Sequence, residues 1–263
     1  MSIIELSVLD LSVAALLVLA VAALSLRMRL DLERQLLVAA ARTVVQLSLV
    51  GLVLGWVFRA ENPWIVLAMG LVMLLVAGRE VMRRQARRLA GWWGYGTGTL
   101  SMLISSFAVT IFAMSQVIHV EPWYKPQYAI PLLGMLLGNT MNGIAIGLDR
   151  LTDTAWQQRA AIEQRLALGE TWKTSVHEIR QASIRAALIP IVNTMSVVGL
   201  VSLPGMMTGQ ILAGNAPTTA VKYQILIMFL IAAGTGFGSM LAVRIASRRL
   251  FDHRERLRLD RLR

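Results

Sequence analysis

Long apolar runs with few charges dominate this chain. A membrane-spanning helix needs about 20 mostly apolar residues, and seven stretches of the sequence approach or exceed that length. They cover residues 6–26, 36–58, 62–78, 97–118, 127–148, 186–203 and 223–243. Of all residues, 56% are hydrophobic and 16% are charged, against about 45–50% and 25% in soluble domains. The sequence therefore predicts an all-α, polytopic membrane helix bundle of about seven transmembrane helices.

The basic residues predict how these helices are oriented. Twenty-two of the 26 Lys and Arg residues lie in four segments: 27–35, 79–88, 149–185 and the tail at 244–263. Because Lys and Arg near spans favour the cytoplasmic side, seven spans with the amino terminus outside and the carboxyl terminus cytoplasmic place all four segments inside. Reading 186–221 as two spans would put the arginine-rich tail outside. Topology and anionic lipid headgroups thus account for the net charge of +11, and we expect no nucleic-acid partner.

The segment at 149–185 is the longest polar stretch and reads as two cytoplasmic helices. Gly169 is a plausible C-cap of the first helix, and Thr171 offers an N-cap for the second. Apolar residues recur at helical spacing on both sides of this corner, at Leu148, Leu151, Ala155, Ile162, Leu166, Trp172, Val176 and Ile179. Such an element either docks a soluble partner or lies on the lipid headgroups, and amphipathicity alone favours the headgroups.

Several polar side chains fall inside predicted spans, where they are costly and often functional. Arg42 and Gln46 lie in the second span, and Arg42 is near enough to its cytoplasmic end to extend into the headgroups. Asn139 and Asn142 lie in the fifth span and Asn193 in the sixth. We expect these amides to bond across helices or to line a polar path, because an unsatisfied amide in hydrocarbon is expensive.

Methionines are abundant in the same region. The cluster consists of Met135, Met141, Met195, Met206 and Met207. Thioethers suit soft ions such as Cu(I), but methionine is also a common filler of irregular apolar gaps, which is the favoured interpretation. The three histidines are dispersed and there is no cysteine, so the sequence assigns no metal ligands.

Glycines four residues apart predict close helix contacts. Five such pairs occur, at Gly51/Gly55, Gly134/Gly138, Gly143/Gly147, Gly205/Gly209 and Gly234/Gly238. Together they predict a tightly packed bundle or a dimer face.

Common catalytic motifs are missing from the sequence. It has no G-x-x-x-x-G-K-[ST] loop to cradle ATP phosphates, no G-x-S-x-G and no H-E-x-x-H. We therefore expect a transport subunit without a cofactor of its own, not an enzyme.

Two long strings carry a resemblance to a known family. IPLLGMLLGNTMNGIAIGLDRL (130–151) and IRAALIPIVNTMSVVGLVSLPGMMTGQILAG (184–214), followed by AVKYQI (220–225), resemble the FetB-type permeases. These are bacterial inner-membrane subunits of an iron exporter, similar to plant permeases linked to aluminium tolerance. ARTVVQL (41–47) and EQRLALGET (163–171) also resemble family segments, so the resemblance covers nearly the whole chain.

This resemblance implies a single transmembrane permease domain over 1–263 and a separate ABC ATPase subunit that binds ATP–Mg. Two permeases, as a homodimer in the lipid bilayer of the bacterial inner membrane, would assemble with two ATPases to export iron or another metal species. The implied ATPase-coupling residues are Glu163, Leu166, Ala167, Leu168 and Gly169. The candidate translocation path, drawn from intramembrane polarity, comprises Asn139, Met141, Asn142, Asn193, Met195, Pro204, Met206 and Met207.

Two other functions compete with this one. An ATPase-independent secondary transporter of a small solute would often show inverted repeats, and no internal repeat is visible. An intramembrane enzyme or a structural scaffold would fit the hydropathy, but an enzyme would need a catalytic constellation that the sequence does not show.

Overall fold

A computed structural model describes residues 7–263, and within that range the regular structure is helical, with isolated β-bridges but no strand. This confirms the all-α prediction. A short 3₁₀ turn at Leu259–Arg261 follows ten helices in the described range. The helices are α1 (Val8–Met28), α2 (Glu33–Ala60), α3 (Pro63–Arg83), α4 (Trp92–Val117, with π-helical turns at Leu103–Phe107 and Ala113–Val117), α5 (Pro126–Gln157), α6 (Arg159–Ala167), α7 (Trp172–Ser175), α8 (His177–Val197), α9 (Gly205–Leu212) and α10 (Pro217–Arg249).

Six of the described helices are long and apolar enough to cross a membrane: α1 to α5 and α10. They match six of the predicted spans, although Leu6, the predicted start of the first, lies outside the described residues. Much of their apolar surface is exposed; Val8 is 80% exposed and Leu52 is 76% exposed. Large exposed apolar surfaces of this kind mark contact with membrane or protein. The chain is a membrane protein.

The predicted span at 186–203 is shorter in the structure than its sequence indicated. Helix α8 ends at Val197, and the backbone becomes extended at Val198 and turns through Gly199, whose φ is +84°. The apolar part of α8, from Ala186 onward, is about 18 Å long, well below the roughly 30 Å of a bilayer core. The short helix α9 begins only after Pro204. A seventh crossing here remains a prediction.

The chain forms two compact units, and α1 and α2 make up most of the first, which extends to Glu61 and includes Leu212–Gly214. The Ser7 hydroxyl accepts the Asp10 amide, and the Asp10 carboxylate accepts the Ser7 amide, which starts α1 with a capping box. Arg29 and Asp31, both at φ +55°, turn the chain into α2.

The second unit, residues 62–211 and 215–263, is built around α5, which packs against α3, α8 and α10. Glycines permit the closest approaches. A Cβ on Gly143 would lie 2.6 Å from Thr235 Cγ2, and one on Gly238 would lie 2.6 Å from Thr140 Cγ2. Two of the predicted glycine pairs, Gly143/Gly147 and Gly234/Gly238, therefore mediate packing. By contrast, Cβ atoms at Gly51/Gly55 and Gly205/Gly209 would meet nothing within 4 Å.

The predicted apolar stripe of the 149–185 segment is buried in this second unit. Leu151, Ala155 and Ile162 are at most 2% exposed, as is Val176. They join a core with Ala242, Val243 and Ala246 of α10 and with Leu250, which follows that helix. The apolar stripe is therefore buried within the protein, so it does not lie on the lipid headgroups.

Candidate functional site

The corner between α6 and α7 is built by the two caps that the sequence predicted. Gly169 has φ +90°, its N–H donates to Leu166 O at 3.0 Å, and the Glu170 N–H donates to Arg165 O at 3.1 Å. This pair of bonds is the Schellman ending of a helix. Thr171 then caps α7 by accepting the Thr174 N–H at 3.4 Å. Both helix ends at this corner are thus closed by local hydrogen bonds.

The corner presents a large apolar side chain, Leu168, to the outside. Leu168 is 79% exposed, and Glu163, Ala167 and Gly169 are exposed beside it. Leu166, by contrast, packs partly into the core. Of the five predicted coupling residues, Leu166 is thus held partly in the core, and the other four are accessible to a partner.

The carboxyl-terminal tail, residues 250–263, folds back onto this corner. The Trp172 N–H donates to Glu255 Oε2 at 3.0 Å, so Glu255 satisfies a free amide at the start of α7. The Trp172 ring lies 5.8 Å from that of Phe251 and 5.3 Å from the Arg248 guanidinium. These contacts fix the corner to the end of α10.

The buried carboxylate of Asp252 stabilises a turn of the tail at residues 252–256. It accepts the amides of Arg254 and Arg256 at 2.8 and 2.9 Å and the Arg256 Nε at 3.0 Å. The backbone hydrogen bond from Arg256, with smaller contributions from its guanidinium and from Arg254, lowers the pKa of Asp252 to about 2. The tail is a structured element, a point that its arginine spacing could not decide.

Three of the four arginine-rich segments meet at one end of the second unit. Arg88 and Arg263 exchange backbone hydrogen bonds of 2.8 and 2.9 Å. The Arg87 guanidinium lies 3.7 Å from Asp153 and 4.3 Å from the Trp156 ring centroid. The 79–88, 149–185 and 244–263 segments are therefore joined at one end of the unit, which we call the arginine end.

Helix α5 carries the predicted amides on one exposed face. Asn139 and Asn142, three residues apart, share a side of the helix. Asn139 Nδ2 donates to Met135 O at 2.8 Å in its own helix, whereas Asn142 Oδ1 accepts from Arg84 Nη1 beyond the end of α3. Arg84 in turn lies 3.6 Å from Glu80. This Glu80–Arg84–Asn142 chain links α3 to α5.

Sequence reasoning missed Glu80 and Arg84 as site residues. Both lie in a segment that we read only for topology, although their i,i+4 spacing predicts an ion pair. Their proximity to Asn142 depends on how α3 packs on α5, which no local pattern encodes.

The remaining path residues do not all gather on that face. Met141 packs partly into the core, and Asn193 is exposed on α8 without a hydrogen bond among residues 7–263 to either asparagine of α5. Met195 packs against a separate cluster of buried residues that includes Ile227 and Ile231 of α10. Pro204 precedes α9 and accepts the Thr208 N–H at 3.0 Å. Met207 is half-buried in α9.

Met206 lines a cavity of about 390 Å³ together with Met135. Its polar wall is uncharged: Gln127, Tyr128, Gln210, Asn215, Thr219 and Tyr223. Met135 lies 14 residues before Asp149 on α5, or about 21 Å along the helix, toward the end away from the arginines. No group of three His, Asp or Glu residues placed to hold a metal occurs in the described part of the chain. The cavity suits transient contact with a polar or hydrated solute.

Arg42 and Gln46 belong to the first unit. They lie four residues apart on α2, hence on one face, and both are exposed.

The chain matches one protein family along most of its length. The family described as "Uncharacterised protein family (UPF0014)" matches residues 8–251. UPF0014 membrane protein slr1647 of Synechocystis is 41% identical over 231 residues, covering 87% of both chains. The "Probable iron export permease protein FetB" of Escherichia coli K12 is 31% identical over 261 residues, covering 96% of this chain and 95% of the relative. Protein ALUMINUM SENSITIVE 3 of Arabidopsis thaliana is 35% identical over 216 residues, covering 82% and 77%. No solved structure matches.

Proposed function

Because the chain belongs to the UPF0014 family of membrane proteins, we propose that it is the permease subunit of an ABC exporter for iron or another metal species. The observation that carries this proposal is the end-to-end similarity to a relative named as an iron export permease, which covers 96% of the chain. The fold supports a transport role, since six described helices are long and apolar enough to cross a membrane.

The energy source in this proposal is a separate ATPase that binds ATP–Mg. The α6–α7 corner supports it, because an exposed Leu168 between two capped helix ends is suited to enter a groove of a soluble partner. Two permeases and two ATPases would form the working exporter. A homodimer also gives the exposed, unengaged Gly51/Gly55 face of α2 a packing partner.

The topology in this proposal has seven crossings, an outer amino terminus and a cytoplasmic arginine end in the bacterial inner membrane. The clustering of three arginine-rich segments at one end supports it, since basic segments favour the cytoplasmic side. The seventh crossing would combine α8 with the 198–212 segment, and residues 1–263 would act as one permease domain.

The transport step in this proposal is alternating access. ATP-driven closure would push on the corner, and α5 would carry the movement, because α6 follows it after Gln158 alone. The Glu80–Arg84–Asn142 chain joins α5 to α3 at an exposed polar face, so sliding of the helices would break or remake it. Cargo would pass Asn139 and Asn142 and leave through the cavity that Met206 lines.

Co-purification tests the partnership. We expect the affinity-tagged full-length chain, extracted from its native membrane, to carry an equimolar protein with a Walker A motif, identified by mass spectrometry. Leu168→Asp should reduce that yield at least about tenfold, because it places a charge in an apolar contact. Leu30→Asp, at an exposed leucine in the turn between α1 and α2, is the control and should retain the partner. A chain that purifies alone and transports along an ion gradient without ATP would instead be a secondary transporter.

A further inference from the structure

An open, basic pocket of about 550 Å³ lies where α10 ends and the tail begins. Trp93 of α4 forms part of its wall. Its charged and titratable lining consists of Arg244, Arg248, Arg249, Asp252, His253 and Arg261. Four guanidinium groups thus share this pocket with a single carboxylate. No residue of the α6–α7 corner lines it, and the transport step proposed above does not use it.

The carboxylate does not neutralise these arginines. Asp252 is 6% exposed, and it already accepts the amides of Arg254 and Arg256 as well as the Arg256 Nε at 3.0 Å. By contrast, the side chains of Arg244 and Arg249 form neither a hydrogen bond nor an ion pair with any described residue. The pocket therefore keeps a net positive charge, which favours an anionic ligand.

Two of the arginines are held in place by contacts that leave donors unused. The Arg249 guanidinium lies 4.2 Å from the Trp93 ring centroid, and stacking on an aromatic ring leaves the N–H groups free in the guanidinium plane. Arg261 Nη1 donates to the carbonyl oxygens of Arg249 and Phe251 at 2.8 and 3.2 Å. Its Nε and Nη2 donors have no acceptor among the described residues. Guanidinium groups positioned in this way match a phosphate group, which accepts several N–H bonds at once.

The pocket continues into an apolar face of α10. Phe237, Leu241, Arg244 and Arg248 follow one another at spacings of four, three and four residues, so they share one side of the helix. Phe237 is 63% exposed and lies about 17 Å along the helix from Arg248. Trp93, at the pocket wall, is 46% exposed, and tryptophan is enriched where hydrocarbon meets headgroups. Exposed apolar surface thus leads directly to the basic pocket on a helix long enough to cross a membrane.

We propose that this pocket binds the phosphate group of an anionic phospholipid, whose acyl chains lie against the Phe237 side of α10. Charge complementarity selects a phosphate, and the adjoining apolar face selects a lipid over a soluble phosphate. The site differs from the diffuse attraction between basic loops and headgroups, because particular guanidinium groups are positioned around one pocket. It goes beyond the proposed function, since it depends on neither the ATPase nor the cargo.

The experiment measures lipid binding to the delipidated full-length chain in detergent by native mass spectrometry. Dioleoylphosphatidylglycerol is the anionic probe, and dioleoylphosphatidylcholine carries the same acyl chains and a phosphate without net charge. We expect the anionic lipid to bind at least about tenfold more tightly, and R244Q/R249Q to remove most of that preference. R150Q/R185Q is the matched control, because it removes two exposed arginines of α5 and α8 that lie outside the pocket. Its preference should stay within about twofold of wild type.

Inorganic phosphate distinguishes the two sources of a phosphate group. At the concentration of the lipid it should displace no phosphatidylglycerol, because it gains nothing from the apolar face of α10. Displacement at that concentration would mean that the pocket takes a soluble phosphate, and it would overturn the lipid assignment. Equal binding of the two lipids, or equal loss of preference in the two double variants, would also overturn it.

The midpoint of thermal unfolding without added lipid shows whether R244Q/R249Q is folded. It should match wild type. If the midpoint falls, R244Q alone decides, because the Arg244 side chain has no partner among the described residues whose loss could unfold the protein. We expect R244Q to weaken phosphatidylglycerol binding at least about threefold. Unchanged binding in folded R244Q would then remove the site.

Discussion

At Asn142, a local sequence pattern predicts the position on the helix, whereas the hydrogen-bond partner depends on tertiary packing. The sequence places it and Asn139 on one face of a span, because three residues advance a helix by nearly one turn. Only the fold shows that Asn142 accepts a hydrogen bond from Arg84, which is 58 residues away in the chain. The caps at Gly169 and Thr171 were predictable because capping is local. The Glu80–Arg84–Asn142 chain was not, because it depends on packing.

Asn142→Leu tests the polar face. It removes the acceptor for Arg84 and makes the face apolar, so we expect ATP-dependent metal flux to fall at least about tenfold while ATPase binding is retained. Asn142→Gln, which keeps an amide oxygen, should recover part of the flux. The measurement is initial flux per folded transporter in proteoliposomes. Normal flux in a normally folded Asn142→Leu protein would remove this residue from the path.

The stability of the folded tail should depend on pH through Asp252. Its pKa is lowered from 3.8 to about 2 in the folded chain. A carboxyl group with a lowered pKa stabilises the fold above its unfolded pKa and loses that contribution as pH falls through the folded value. We expect the amides of Arg254 and Arg256 to stay protected from hydrogen exchange down to about pH 4 and to lose protection between about pH 4 and 2. Protection in Asp252→Asn should not vary over that window, and parallel behaviour of the two proteins would contradict the assignment.

At the scale of elements, glycines decide how closely the helices pack. Sequence spacing predicted five pairs but could not tell which of them face a neighbouring helix, since the spacing within each pair is the same. The structure separates Gly143/Gly147 and Gly234/Gly238, which face neighbouring helices, from Gly51/Gly55, which face open space. The end of α8 at Val197 shows the same limit. Gly199, where the chain turns, lies inside the predicted span, but span length was read from hydropathy, which does not register a backbone turn.

Gly238→Val tests this packing. A Cβ at Gly238 would lie 2.6 Å from Thr140 and 2.7 Å from Ser105 Oγ, so overpacking should lower the free energy of unfolding by about 1–3 kcal/mol. Gly96→Val, at a helical position of α4 with nothing within 4 Å, should leave it unchanged or slightly raised, since valine has the higher helix propensity. Unfolding midpoints of both variants in the same detergent make the comparison. Equal midpoints would show that the α5–α10 contact is looser than described.

At the scale of the whole molecule, hydropathy and charge predicted most of the architecture. Six predicted spans correspond to helices long and apolar enough to cross a membrane, because a bilayer imposes length and composition directly on sequence. The folded tail escaped prediction, because arginine spacing carries no period that distinguishes a docked tail from a free one. Family membership and the arginine end together support an ATP-driven permease.

In the proposed function, ATP hydrolysis by a partner drives metal export through this chain. The most direct test is metal flux in proteoliposomes holding the permease and its co-purified ATPase, with Fe, Mn, Cu and Zn supplied separately. We expect ATP-dependent uptake into inside-out vesicles, with little uptake when Leu168→Asp replaces wild type. Metal uptake that is unchanged without ATP, or without the ATPase subunit, would contradict it.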